Sequence, residues 1–267
     1  MTELIQILII AAVQGIGEFL PISSSGHNAV LNHLFDRFGD ALADDNAEFV
    51  KLNVSLHLGT LLAVALVFRE RILALFGKDR RLIPLLAVAT LPVATIGLSV
   101  FMFFPNIQNC LPLISVCFAL TGLLLLYTLR LPEGEKTTTT MTWKDALIIG
   151  LAQGFAVFPG ISRLGITLVA GMYCRLHKEE AAVFSFLLSI PAILGFGLLQ
   201  NIRVMHELPL QSANSIPSWL LCVGICVSCF VGVFVLLFFL NWLARGKLWY
   251  FAAWVFMMSL MTLLLSM

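Results

Sequence analysis

Charge is what this chain has least of. Only 12% of its 267 residues are Asp, Glu, Lys or Arg, against about a quarter in an ordinary soluble domain. So few charges cannot cover a water-soluble surface of this size, which excludes a soluble globular enzyme. Neither sign is in excess: the net charge is +1, and no basic footprint for nucleic acid exists. A basic n-region and a small-residue cleavage site are missing around the first apolar run, so a cleavable signal peptide is not expected. Histidine is missing near Cys222, Cys226 and Cys229. Cys110, Cys117, Cys174, Cys222, Cys226 and Cys229 all lie in apolar stretches, and the last three share a helix face by spacing. They read as small buried packing residues rather than metal ligands.

What the chain has in excess is apolar length. Hydrophobic residues make up 60% of it and the mean hydropathy is +0.97. The apolar residues come in runs long enough to cross a bilayer. About six spans are expected, near 52–68, 82–103, 110–129, 180–200, 217–240 and 248–266, with Pro92 and Pro191 inside two of them. Neighbouring helices can re-satisfy the carbonyls that such prolines free.

Two further apolar regions, about 4–35 and 145–175, are interrupted. Each has a short apolar run, a Pro/Ser/Gly cluster and another short run. Pieces of that length suit re-entrant helix hairpins. The two regions also resemble each other. Gln14-Gly15-Ile16-Gly17-Glu18-Phe19-Leu20-Pro21-Ile22-Ser23-Ser24-Ser25-Gly26 aligns without gaps on Gln153-Gly154-Phe155-Ala156-Val157-Phe158-Pro159-Gly160-Ile161-Ser162-Arg163-Leu164-Gly165. The chain therefore reads as one membrane domain of two repeats, 1–130 and 144–267, joined by a polar stretch with a Thr run.

Loop charges orient the repeats. Residues 69–81 carry Arg69, Arg71, Lys78, Arg80 and Arg81, a cytoplasmic signature. The loop 36–51, with Asp36, Asp40, Asp44, Asp45 and Glu48, then lies outside, as do both termini. The first hairpin enters from outside and the second from inside. The expected fold is thus an all-α integral membrane protein, about six spanning helices plus two re-entrant hairpins in an inverted-topology repeat, with polar tips meeting near the midplane.

Ionisable groups at membrane depth are functional candidates by default. Arg163 follows a Pro-Gly break and opens a new helix. The helix N-terminus and the guanidinium fork both suit phosphate oxygens. Ser23, Ser24 and Ser25 sit at the matching break of the first hairpin. Their hydroxyls can cap a helix, bind phosphate or attack it, and attack needs a base. His27 is three residues past Ser24, and Glu18 ends the preceding short helix one turn after Gln14. Glu18 can act as a base or hold a divalent cation with phosphate oxygens. It can also simply pair with Arg163. His57 reads as a structural hydrogen bonder.

Together these residues resemble a known family. Gln14-x-x-x-Glu18-Phe19-Leu20-Pro21-Ile22-Ser23-Ser24-Ser25-Gly26-His27 is similar to the first signature of the bacterial undecaprenyl-diphosphate phosphatases of the bacitracin-resistance type. Pro159-Gly160-Ile161-Ser162-Arg163-x-x-x-Thr167 resembles the second, with Leu164 where a second Ser is usual. Asn53 stands near a position that is usually acidic. The resemblance implies hydrolysis of undecaprenyl diphosphate to the monophosphate, in the bacterial cytoplasmic membrane, with the site open to the outer side. It implies a divalent cation, magnesium or calcium, held by Glu18 and Gln14. It implies Ser24, His27, Glu18 and Arg163 as the catalytic set, and Ser23, Ser25, Gly160, Ser162 and Thr167 as substrate contacts. The partners are then a polyprenyl diphosphate lipid and the bilayer, and a homo-oligomer is left open. Serine attack and attack by a metal-activated water both fit. A transporter or flippase of a phosphorylated lipid is the alternative, since inverted hairpins with a midplane site also build transporters.

Overall fold

The computed structural model describes residues 3–38, 46–103, 107, 110–207 and 216–267, and among these the regular elements are helical. In chain order they are α1 (Glu3–Phe19), α2 (Ser24–Arg37), α3 (Asn46–Val67), α4 (Arg69–Leu75), α5 (Leu82–Phe103), α6 (Leu111–Tyr127), α7 (Trp143–Gly154), α8 (Arg163–Tyr173), α9 (Lys178–Glu207), α10 (Ser218–Ala244) and α11 (Trp249–Leu265). Five of them, α3, α5, α6, α9 and α10, contain stretches long and apolar enough to cross a membrane. α6 reaches that length with the 3-10 turn Thr128–Arg130 that continues it, whereas the expected sixth, α11, is apolar but stops at 17 residues. Pro92 and Pro191 lie inside α5 and α9 as expected.

Breaks fall where the chain has its Pro/Ser/Gly clusters. α1 stops at Phe19 and α2 starts after Ser23, whose hydroxyl accepts from the Gly26 amide. α7 runs into a 3-10 turn, Phe155–Val157, and α8 starts after Ser162, whose hydroxyl accepts from the Gly165 amide at 3.0 Å. Each cap satisfies an amide that the first helical turn leaves without a partner. α7 itself opens on a capping box between Thr142 and Asp145. With 12 and 11 residues, α7 and α8 reach only about 16–18 Å at 1.5 Å per residue.

Packing crosses between the two parts of the chain. α1 lies on α10 and α7 lies on α5, while α3 meets α9 and α6 meets α11. Small residues let the backbones approach. Gly224, Ser228 and Gly232 line the buried face of α10 at four-residue spacing. A Cβ on Gly59 would stand 2.5 Å from the Ile225 carbonyl, and one on Gly232 would stand 2.6 Å from the Phe19 ring. Ser228 donates to the Leu56 carbonyl at 2.7 Å across the same seam. α6 and α11 are tied by Ser115 and Ser259, each hydroxyl donating to the other residue's carbonyl.

The loops gather at two ends of the bundle. At one end Arg81 donates to the Thr139 and Met141 carbonyls, Lys136 pairs with Asp145, and Lys178 donates to the Ala244 carbonyl. The polar stretch between the two parts is therefore folded down, with a single bridge from Lys136 to Leu176. Here the Asp145 carboxyl is raised by its burial, but hydrogen bonds from Thr142 and Lys136 outweigh that and hold it below the usual carboxylate range. At the other end, Glu48 accepts from the Ile216 amide at 3.0 Å. Glu48, read above as part of an acidic outer loop, lies in the first turn of α3 and is almost fully buried. Asp40, Asp44 and Asp45 lie outside the described residues.

The cysteine expectation also needs correction. Cys117 and Cys174 are buried, but Cys110, Cys222 and Cys226 are exposed on the outer surface of the helices. An apolar face turned to lipid accepts a small thiol as readily as a core does, so composition could not separate the two.

Candidate active site

The two breaks meet. Ile7 and Ile10 of α1 and Phe35 of α2 pack with Leu52 and Ile216, near Glu48, and α7 begins beside Lys136. Where the breaks touch, the Gly160 amide donates to the Ser23 hydroxyl at 3.1 Å. A Cβ on Gly26 would stand 2.8 Å from that same Gly160 nitrogen. Gly160 has φ +99, a conformation that glycine adopts without strain. Thr121 of α6 braces the second tip: it donates to the Gly160 carbonyl at 2.8 Å and accepts from the Ser162 amide at 3.1 Å.

Glu18 is the hub of the site. Its Oε1 pairs with Nη2 of Arg163. Its Oε2 accepts from Ser24 Oγ at 2.6 Å and from Gln14 Nε2 at 3.1 Å, with His57 Nε2 at 3.9 Å. The Gln14 carbonyl in turn accepts from Asn28 Nδ2 at 2.9 Å. A narrow cavity beside these groups is lined by Glu18, Arg163, Ser185 and Ser189. Arg163 has five N–H donors. Glu18 takes one, and the Ser189 carbonyl takes another through a long 3.5 Å contact. The other three are not engaged by these two acceptors.

The serine trio separates into three roles. Ser23 is the helix cap and the contact to Gly160. Ser24, the first residue of α2, has its hydroxyl on the carboxylate. Ser25 is exposed, with its hydroxyl 3.3 Å from that of Ser23. A hydroxyl that donates to a buried carboxylate is poised to lose its proton when the oxygen attacks.

The remaining candidates are engaged elsewhere. His27 is buried, its Nδ1 lies 2.8 Å from the Ser23 carbonyl, and its Nε2 accepts from the Trp254 indole at 3.0 Å. The first contact requires the proton on Nδ1. Both nitrogens thus point away from Ser24, and the acceptor beside Ser24 is Glu18. Ser162 is occupied as a cap, and Thr167 donates back to the Arg163 carbonyl of its own helix at 2.8 Å. Gln14 turns its nitrogen, not its oxygen, to Glu18. His57 behaves as expected, donating to the Asn53 carbonyl at 2.8 Å.

Three contributors were not foreseen: Asn28, Thr121 and Trp254. For Asn28 a signal existed, because it lies four residues after Ser24 and so shares its helix face. Thr121 and Trp254 lie on apolar helices, 39 and 227 positions from their partners Gly160 and His27, and have no local signature.

A divalent cation is compatible with the donor set in one form only. Among the described residues no group of three or more His, Cys, Asp or Glu could hold a metal alone. The Glu18–Arg163 pair has a formal charge of zero, so a diphosphate entering the site meets no net positive side-chain charge. A hard cation held by Glu18 together with diphosphate oxygens and water would supply it, which is how magnesium is commonly bound.

The family model described as Bacitracin resistance protein BacA matches residues 7–261. An undecaprenyl-diphosphatase of Rhodopirellula baltica is 38% identical over 267 residues, all of both chains. Another from Carboxydothermus hydrogenoformans is 38% identical over 264 residues, 98% of this chain and 97% of that one. An undecaprenyl-diphosphatase 3 of Bacillus cereus is 37% identical over 263 residues, with the same coverage.

Proposed function

The chain belongs to the bacitracin resistance protein BacA family, and from that membership and the geometry around Glu18 we propose that it is a membrane phosphatase that hydrolyses undecaprenyl diphosphate to undecaprenyl phosphate and inorganic phosphate. The observation that carries the chemistry is the 2.6 Å hydrogen bond from Ser24 Oγ to a Glu18 carboxylate whose other oxygen pairs with Arg163.

Ser24 Oγ attacks the terminal phosphorus as its proton passes to Glu18 Oε2. The phosphoanhydride P–O bond breaks, and undecaprenyl phosphate leaves. Arg163 and the free amides opening α8 hold the phosphoryl oxygens, where charge builds in the transition state. Glu18 returns that proton to Ser24 Oγ as water attacks the phosphoserine and the P–O bond breaks, and the proton lost by the water leaves with the inorganic phosphate. A divalent cation, held by Glu18 with the diphosphate, neutralises phosphate charge when bound. His27, fixed between the Ser23 carbonyl and Trp254, positions the Ser23–Ser24 turn. The products return the lipid carrier to cell-wall precursor synthesis.

In the bilayer α1–α2 and α7–α8 are re-entrant hairpins that enter from opposite faces, and 1–130 and 144–267 form inverted repeats. Two facts support this. α7 and α8 fall well short of the roughly 30 Å hydrocarbon core, and the aligned residues Ser23 and Ser162 cap corresponding helices. The end carrying Arg71, Arg81 and Lys136 faces the cytoplasm by the positive-inside rule, and the site opens outward.

The test is phosphate release from undecaprenyl diphosphate by detergent-solubilised protein, with magnesium and calcium titrated. Turnover is expected without any membrane gradient. A folded protein that binds the lipid and releases no phosphate under any cation would favour transport instead.

A further inference from the structure

Four polar side chains form a ladder between α1 and α2. Gln14 and Glu18 are one turn apart on α1, and Ser24 and Asn28 are one turn apart on α2. The rungs are Ser24 to Glu18 at 2.6 Å and Asn28 to Gln14 at 2.9 Å, and Gln14 donates along α1 to Glu18 at 3.1 Å. All four residues are buried. The first rung belongs to the chemistry proposed above, and the second has no assigned purpose.

Asn28 uses only one end of its amide. Its nitrogen donates to Gln14, while its buried oxygen has no hydrogen-bond partner. An unsatisfied buried carbonyl is unfavourable, and an apolar residue of the same size would avoid it. What the position contributes is therefore the N–H donor. That donor decides which way the Gln14 carboxamide faces. If Gln14 were reversed, its oxygen would meet the Glu18 carboxylate, and its N–H₂ would meet the N–H₂ of Asn28. Both contacts would be repulsive. Asn28 and Glu18 thus select one orientation between them, and in it Gln14 anchors Glu18 Oε2 beside Ser24.

We propose that Asn28 is a positioning residue for the reaction: through Gln14 it holds the Glu18 carboxylate in register with the Ser24 hydroxyl. The inference rests on the reading of Glu18 and Ser24 given above. It acts on chemistry and not on substrate capture, since Asn28 does not line the cavity beside Arg163.

The experiment measures kcat, KM and thermal stability in detergent for Asn28→Leu, Gln14→Leu and the double variant, beside Glu18→Gln and Ser24→Ala. Asn28→Leu is expected to lower kcat about tenfold while KM moves less than about twofold, a loss typical of a loosened catalytic geometry. Its melting temperature should change little, because the orphaned Asn28 carbonyl disappears while the buried Gln14 carbonyl loses its donor, and the two effects offset. The double variant should match Gln14→Leu alone, since Asn28 works only through that side chain. Asn28→Ala, which cannot overpack the site, is measured alongside and should give the same split. A wild-type kcat, a change confined to KM, or losses in the double variant that multiply would overturn the proposal. If Glu18→Gln and Ser24→Ala keep their rates, the reading of the site fails instead. If they are inactive while Asn28→Leu turns over normally, only the role of Asn28 fails.

Discussion

Ser24→Ala separates the chemistry from the architecture. Within the trio, the residue that caps α2 is Ser23, and the contact to Gly160 is also made by Ser23. Removing the Ser24 hydroxyl leaves both intact. What disappears is one hydrogen bond to Glu18, whose Oε2 still accepts from Gln14 and whose Oε1 still pairs with Arg163. A hydrogen bond to a charged group contributes about 1.5–3 kcal/mol, and the carboxylate is not orphaned by its loss. The variant should therefore fold, with a stability loss of about 2 kcal/mol or less. Its activity should fall far more. Without its nucleophile the site must rely on direct water attack, and losses of about 10⁴-fold or more are expected from comparable removals. If Ser24 merely steadies Glu18, the loss should stay near 10²-fold, as for a misplaced catalytic group. Single-turnover phosphate release from undecaprenyl diphosphate in detergent, normalised to protein that melts cooperatively, measures the difference. Turnover within about 10²-fold of wild type would refute serine attack and leave water activated at Glu18 as the mechanism.

Arg163→Lys keeps the charge but loses the planar fork, and phosphate release should drop on the order of 10²-fold; near-normal turnover would remove Arg163 from the site. Gly26→Ala would push a Cβ to 2.8 Å from the Gly160 nitrogen and 2.7 Å from the Phe118 ring, so the tips should part and both melting temperature and activity should fall together. Chelation with EDTA should stop turnover and added magnesium should restore it, with no change in melting temperature before substrate is added. A C-terminal reporter active only in the cytoplasm should be silent, because α11 is expected to end outside. Asn53→Asp adds a carboxylate one turn before His57, whose ring nears Glu18, and should shift the cation concentration needed for half-maximal rate.

Much of this was legible along the chain. Low charge and long apolar runs identify a membrane protein, because hydrophobic length is a one-dimensional property. Helix breaks at Pro21–Ser23 and Pro159–Ser162 follow from local backbone chemistry, and the caps at Ser23 and Ser162 sit there. Loop charges marked residues 69–81 as one end of the bundle, and Arg81 of that segment donates to the Thr139 carbonyl there. Residue types also pointed to Glu18, Ser24 and Arg163, which the fold joins through the Glu18 carboxylate.

What only the tertiary structure decided is who touches whom. Sequence proximity put His27 beside Ser24, yet the rotation of α2 turns that ring to the Ser23 carbonyl and Trp254 and hands Ser24 to Glu18. The same rotation brings Asn28 onto Gln14, and α6 lends Thr121 to a loop some 40 residues away. Helix periodicity resolves which face a residue occupies. A hydrogen bond needs its donor within about 3 Å of an acceptor and well aligned. That depends on how far each helix slides and turns against partners more than 100 positions distant, which is settled by small-residue contacts such as Gly232 on Phe19 and Gly26 on Gly160.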